Sequence, residues 1–373
     1  MKKVCVVTVS RADYGLLRWV IQGIHESPEL ELQLVVSGAH FVESQGNTVQ
    51  EILDDGFPIA ASVPIAPSRT TPVAINKALG QGLAELGKVL DELAPDVLVL
   101  LGDRSETMVA AVAATVAGIP IAHIHGGEVT LGAIDDAFRH SITKMSSLHF
   151  VAEEEYRDRV IRMGEDPDKV FVVGALGHES IHRMNLFGRE EIERELGVSF
   201  GNHNLLVTVH PETLNPENNE ELIGSIIGAL RQLPDSHVFI TASNTDSGGD
   251  DFNRQLRHFA EERGNVWFFE SLGTLNYLSV LSQVDAIVGN SSSGIHEAPY
   301  LEIPTINVGE RQKGRANVES IVNCAADTQT MLTTLQTISR NYVANQIVSD
   351  AVSGLAQSPS ERIIDSLSRK PLL

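Results

Sequence analysis

Short apolar runs rich in β-branched residues recur along the chain, each followed by a polar cluster and then a stretch with helical spacing. "KVCVVTV" (3–9), "LQLVVSG" (32–38), "DVLVLLGD" (96–103), "IPIAHIHG" (119–126), "LHFVA" (148–152) and "VFVVGA" (170–175) predict strands. "YGLLRWVIQGIHES", "AINKALGQGLAELGKVLDEL" and "ETMVAAVAATVAG" predict helices between them. Continuously apolar strands separated by helices indicate parallel βαβ units covered on both faces. After the polar segment around "FGREEIERELGVSFGNHN" the pattern restarts with strands at 205–210, 237–243, 266–271, 286–291 and 304–309. The expectation is α/β: two doubly wound, Rossmann-like parallel-sheet domains, 1–184 and 185–373, facing a cleft. Ligands of such folds bind at the carboxyl ends of the strands.

The polar motifs fall at those ends. "TVSRADYG", "LGDRSE" and "HIHGGE" follow strands of the first half, and "VTVHPET", "ITASNTD", "VGNSSSG" and "NVGERQKGR" follow strands of the second. The length of 373 residues suits two domains at roughly 100–200 residues each. The formal charge of −21 argues against a general field for nucleic acid or anionic membrane, so basic residues in a cleft must act locally. Cys5 and Cys324 stand in opposite halves, and Cys5 lies within an apolar run that predicts burial. The N-terminus shows no signal-peptide core, and no stretch approaches the roughly 20 apolar residues of a membrane span. A cytoplasmic protein is expected.

In the second half, "VGNSSSGIHEA" reads as strand, small polar residues, helix. Unpaired N–H groups at a helix amino end can hold phosphate oxygens, with hydroxyls of Ser291, Ser292 and Ser293 beside them and Glu297 one turn on to accept from ribose. Arg311, Lys313 and Arg315 form a basic cluster after the last of these strands, and arginine's planar fork suits phosphate. His210 stands at the first strand end of that half. In the first half, Arg11 and Gly15 follow the first strand, but neither GxGxxG nor GxxxxGK[ST] is present, so a nicotinamide cofactor and P-loop chemistry are unsupported. Asp103 and Arg104 adjoin at another strand end, and Glu128, Asp135 and Asp136 gather in "IHGGEVTLGAIDDAFRHSITK". His123 and His125, at strand spacing on one face, could begin a zinc site, but no third ligand accompanies them and no metal is expected. The division suggests a nucleotide held by the second half while carboxylates of the first act on the group attached to it.

The ordered set "SRADYG", "LGDR", "HIHGGE", "FRHSITKMS", "HPETL", "SNTDSG", "GNSSSG" and "RQKGR" resembles the hydrolysing UDP-N-acetylglucosamine 2-epimerases, bacterial enzymes that begin sialic acid synthesis. The resemblance implies a glycosyltransferase-B-like fold whose last helix crosses back to the first domain. It also implies elimination of UDP across C1 and C2 to a 2-acetamidoglucal, then hydration to N-acetylmannosamine, with no cofactor and a homo-oligomeric (dimer or tetramer) protein. Asp103 and Asp135 match family carboxylates regarded as catalytic. Arg11, Arg104, His210, Asn244, Ser291, Ser292, Glu297 and Arg311 match nucleotide contacts. His125 departs from the glutamate of the bifunctional animal relatives, and Glu128 is the expected substitute. Gly15 stands where those relatives have serine, so a backbone contact is implied there. The alternatives are the same reaction on UDP-N,N'-diacetylbacillosamine or GDP-N-acetylglucosamine, a transferase on the same fold, and a nucleotide-sugar sensor without turnover. The carboxylate set argues against the sensor.

Overall fold

The computed structural model describes residues 1–41, 48–315, 318–341 and 357–369. Seven strands form the first sheet: β1 (Lys2–Thr8), β2 (Leu30–Ser37), β3 (Ile59–Val63), β4 (Val97–Leu101), β5 (Ile121–Ile124), β6 (Leu148–Val151) and β7 (Val170–Val172). Six form the second: β8 (His203–Thr208), β9 (Ser236–Thr241), β10 (Val266–Phe269), β11 (Ala286–Gly289), β12 (Thr305–Val308) and β13 (Ile321–Cys324). The orders are β3-β2-β1-β4-β5-β6-β7 and β10-β9-β8-β11-β12-β13, and the pairings are parallel. Each order reverses beside its first strand, which opens a crevice between β1 and β4 and another between β8 and β11.

The central strands are read from sequence because they are buried on both faces: all five residues of β4 are buried. β3 and β13 escape that reading. Each lies at a sheet edge, where burial alternates in Ile59–Val63 and only the end residues of Ile321–Cys324 are covered, so neither needs a continuous apolar run.

The helix Arg11–Glu26 begins where Ser10 Oγ accepts from the Asp13 N–H at 3.3 Å. Its buried face of Tyr14, Leu17, Val20, Ile21 and Ile24 follows helical spacing. The helix Pro359–Ser368, opened by a capping box between Ser358 and Glu361, packs against it. Ile363 and Leu367 enter the first half's core beside β1, and burying each contributes about 1.5–3 kcal/mol. Glu179 accepts from the Ser360 N–H and hydroxyl at 2.9 and 2.6 Å. The chain end therefore straps the connection between the halves to the first sheet. Leu176 belongs to the first core and Ile192 to the second.

Candidate active site

The two sets of strand ends face one cavity of about 310 Å³. Its wall includes Arg11, Gly15, Asp103, Arg104, His125, Glu128 and Asp135 from the first half. From the second come His210, Asn244, Ser291, Ser292, Glu297 and Arg311. Arginine therefore concentrates here against the overall negative charge.

On the second half, β11 ends at Gly289, whose φ of +136° is open only to glycine, and a Cβ there would overlap the Thr208 carbonyl. This close approach sets Asn290 against His210: the His210 N–H donates to Asn290 Oδ1 at 2.7 Å and Asn290 Nδ2 donates back to the His210 carbonyl at 2.8 Å. The His210 ring is fixed in turn, because Nδ1 accepts from the Asn244 N–H at 3.1 Å. Burial holds this imidazole well below its ordinary pKa, and the charges of Arg311, Arg104 and Arg11 push the same way. It is a neutral ring with its proton on Nε2, a donor. Ser291 Oγ accepts from the Ser293 N–H at 3.3 Å at the start of the helix Ser293–Tyr300. Arg311 Nη1 donates to the Asn290 carbonyl at 3.1 Å, while its Nε is buried with no hydrogen-bond partner. Arg315 Nε is in the same condition. The unpaired Arg311 donor, buried beside a helix amino end, makes an anion site, whereas the other Arg315 nitrogens are turned to Glu128, Thr130 and His296. Arg11 reaches across the cleft to Ser271 Oγ at 3.2 Å and stacks over Tyr277 at 5.8 Å.

On the first half, Asp103 is bonded to Arg139, which is 1% exposed. The same guanidinium donates to Thr130 Oγ1 at 2.8 Å and to the Glu128 carbonyl at 3.2 Å, so one buried cation ties the end of β4 to the loop after β5. His125 begins that loop in the left-handed region, φ +63°, a conformation that non-glycine residues adopt at a cost. Its Nδ1 lies 2.8 Å from Glu128 Oε1. Glu128 Oε2 lies 3.3 Å from Arg315 Nη2 and 3.5 Å from His296 Nε2, both from the second half. Burial alone would raise the Glu128 carboxyl, but His296, Arg315 and His125 together hold it well below its usual range. Asp135 is the opposite case. Burial and then the charge of Asp246 raise it, only partly offset by Arg311 and Arg104, and its Oδ2 is buried without a partner. Two carboxyl groups in one cavity are thus pushed in opposite directions, Glu128 toward the ionised form and Asp135 toward holding its proton more tightly than an ordinary carboxyl.

Three expectations need correction. His123 and His125 do not share a face toward a common ligand: His123 is a core residue of β5, bonded to the Gly102 carbonyl at 2.7 Å and Thr143 Oγ1 at 3.2 Å, whereas His125 lies beyond the strand end. Asp136 does not join the cavity wall. Its Oδ1 accepts from the Thr130 N–H at 2.7 Å and from Arg139 at 3.3 Å, and so shapes the loop. Lys313 pairs with Glu310 on the surface at 2.7 Å. Gly15 sits inside its helix, where its carbonyl accepts from Ser180 Oγ at 3.2 Å and a Cβ would overlap the Thr274 side chain. Arg139, Asp246, Tyr277 and His296 were not singled out from sequence. Arg139, Tyr277 and His296 lie inside helices, and only packing brings them to the cavity. Asp246 closes the motif "ITASNTD" and acts on the site through Arg104, 3.9 Å away. Among the described residues, no group of three or more His, Cys, Asp or Glu could hold a metal ion, and no helix is long and apolar enough to cross a membrane.

Two facing Rossmann-type sheets with a cation-rich wall on one side and carboxylates on the other define a glycosyltransferase-B-like α/β protein. The family model for UDP-N-acetylglucosamine 2-epimerase matches residues 22–368, and the chain belongs to that family. It is 36% identical to the GDP/UDP-N,N'-diacetylbacillosamine 2-epimerase (hydrolyzing) of Campylobacter jejuni, over 86% of this chain and 84% of that one. It is 38% identical to the polysialic acid biosynthesis protein P7 of Escherichia coli, over 87% and 82%. Identity to the UDP-N-acetylglucosamine 2-epimerase of Neisseria meningitidis is 28%, over 90% and 87%. The fold matches a Methanocaldococcus jannaschii UDP-GlcNAc 2-epimerase solved with UDP-GlcNAc and UDP, at a TM-score of 0.78 and 18% identity over 98% of this chain and 99% of that one.

The contrast between the two carboxyl groups predicts a pH response. If catalysis needs protonated Asp135, the rate falls as pH rises through its raised pKa. Asp246→Asn removes one of the charges that raise it, so the alkaline limb of the kcat profile is expected to move to lower pH. A limb that stays in place or moves to higher pH would show that Asp135 is not the acid being titrated.

Proposed function

We propose that the protein is a hydrolysing 2-epimerase that converts UDP-N-acetylglucosamine to N-acetylmannosamine and UDP. The observation that carries this reading is the opposition, within one cavity, of Asp135 and the His125–Glu128 pair to the anion site at Arg311, His210 and the Ser291–Ser293 turn. Inversion at C2 requires a proton to leave one face of the ring and return to the other. A single group fixed beside one face cannot do both, so two proton-transfer groups in different states are needed.

In this reading the His125–Glu128 pair takes the C2 proton as the C1–O bond breaks. The ionised Glu128 stabilises the imidazolium formed beside it, and the electron pair of the C2–H bond becomes the C1–C2 double bond. Charge arriving on the departing diphosphate is met by Arg311, by His210 Nε2–H and by helix-end N–H groups. Asp135 then delivers its proton to C2 from the other face while water adds at C1. Asp103, held by Arg139, orients that water or a ring hydroxyl. Glu297, Asn244 and Arg11 contact the nucleoside, Arg104 the diphosphate, and Gly15 lines the wall by its backbone.

A second reading is the same reaction on a 4-acetamido sugar, favoured by the N,N'-diacetylbacillosamine 2-epimerase activities for which the Campylobacter jejuni relative and a Legionella pneumophila relative, 33% identical over 90% of this chain, are named. Incubation with UDP-N-acetylglucosamine, UDP-N,N'-diacetylbacillosamine and GDP-N-acetylglucosamine in deuterated water, read by NMR, separates the readings. The expected products are free nucleotide and a 2-epimeric free sugar carrying deuterium at C2. Retention of the original hydrogen at C2 would exclude elimination.

The leaving-group contacts are tested by binding. Arg311→Ala and Ser292→Ala are expected to weaken UDP binding, the former by about 1.5–3 kcal/mol as a lost charge-assisted hydrogen bond. Calorimetry that finds unchanged affinity in both variants removes the second half from its role as nucleotide holder.

A further inference from the structure

The loop from Gly126 to Ile134 belongs to the first half by sequence, yet its outer face is fastened to the second. The Leu131 N–H donates to the Lys313 carbonyl at 2.9 Å, and the Ile134 N–H donates to Thr213 Oγ1 at 3.0 Å. Gly132 lies so close to the opposite strand end that a Cβ would overlap the Glu310 carbonyl and the Arg311 backbone. Arg315 completes the fastening: Nη2 reaches Thr130 Oγ1 and Glu128 Oε2, each at 3.3 Å, and Nη1 is held by His296 Nε2. This guanidinium is 8% exposed and spans the cleft.

The same short segment is anchored on its own half next to the anion site. Glu212, 2% exposed, accepts from the Glu310 N–H. Arg311 Nη1 and Gln312 Nε2 both donate to the Asn290 carbonyl, at 3.1 and 2.7 Å, one residue before the Ser291–Ser293 turn. Residues 310–315 therefore touch the leaving-group pocket at one end and the acid-bearing loop at the other.

We propose that segment 310–315 couples occupancy of the nucleotide pocket to placement of the loop that carries Glu128 and Asp135, with Arg315 and Gly132 as its positioning residues. When the halves part, Leu131 and Ile134 lose their acceptors and Glu128 loses its cross-cleft cation. When they meet over a nucleotide, the loop is pinned and its two proton-transfer groups come into register. The catalytic meaning of this rests on the epimerase reading above, but the coupling itself does not.

Hydrogen–deuterium exchange on the full chain tests the coupling, with UDP as probe and GDP in a parallel arm. Nucleotide binding, followed by calorimetry, is expected to slow exchange across 128–136 about tenfold, as closure removes local opening. Gly132→Ala and Arg315→Ala should bind the nucleotide within about threefold of wild type, lose most of that slowing, and lower kcat about 10–100-fold with little change in KM. Arg315→Lys should recover part of kcat, because a point charge still reaches Glu128 although the fork to Thr130 and His296 is lost. Bound nucleotide with unchanged exchange in the wild-type protein overturns the proposal, whatever the variants do. So does full slowing with wild-type kcat in Arg315→Ala, which also decides the matter should Gly132→Ala fail to fold. If exchange slows as expected but no sugar nucleotide is turned over, the coupling stands and the epimerase reading falls. If neither nucleotide binds, both fall.

Discussion

Asp135→Asn is expected to lower kcat by about 10²–10⁴, the range that general acid–base groups supply, while UDP affinity measured by calorimetry stays close to wild type. The substitution keeps shape and burial. It removes only the exchangeable proton, whose loss burial and the neighbouring charge of Asp246 disfavour. Glu128→Gln should be nearly as damaging, because it leaves His125 Nδ1 without its 2.8 Å carboxylate and Arg315 without its cross-cleft counter-charge. His125→Gln discriminates between two roles. A loss as large as that of Glu128→Gln makes the imidazole the proton carrier with Glu128 behind it, and a small loss makes Glu128 the carrier itself. Should Asp135→Asn turn over normally, the acid lies elsewhere and the assignment of opposed faces fails.

Arg139→Leu is expected to destabilise the fold by about 3 kcal/mol, toward the lower end for removing one partner of a buried ion pair, because Asp103 retains 22% side-chain exposure and so keeps some solvation. The loss is larger than the Asp103 pair alone would give. Thr130 Oγ1 and the Glu128 carbonyl lose their donor, and Asp136 loses a cation 3.3 Å away. Urea unfolding of the variant checks the number, and a change below 1 kcal/mol would mean that the loop finds other partners. Turnover should fall with stability, since Asp103 and the acid loop are joined through this one guanidinium.

Much of this architecture is written in local pattern. Strands such as Val97–Leu101 must be continuously apolar because helices cover both faces, and a strand end that turns polar at "GDR" or "GNSSSG" is visible to the eye. Edge strands Ile59–Val63 and Ile321–Cys324 carry no such signal, since half of each surface is left to solvent. The cavity wall was legible to the same extent. Strand-end chemistry pointed to Asp103, His125, Glu128, Asp135, His210 and Arg311, and the fold brings them to one cavity.

What the chain's order of residues determined by itself is the alternation of buried strands and amphipathic helices, the two-sheet layout and the polar groups at each strand end, because these depend on spacing within a few residues. The protonation states and partners were decided by tertiary structure. Asp135 and Asp136 are neighbours of identical chemistry, yet one is buried without a partner at Oδ2 near Asp246 and the other accepts from Thr130 and Arg139. Glu128 meets Arg315 and His296 across more than 160 residues of sequence, so its charge state could not be read from its own loop. Coulomb interactions and desolvation depend on distance through space, and that distance exists only once the two sheets face each other.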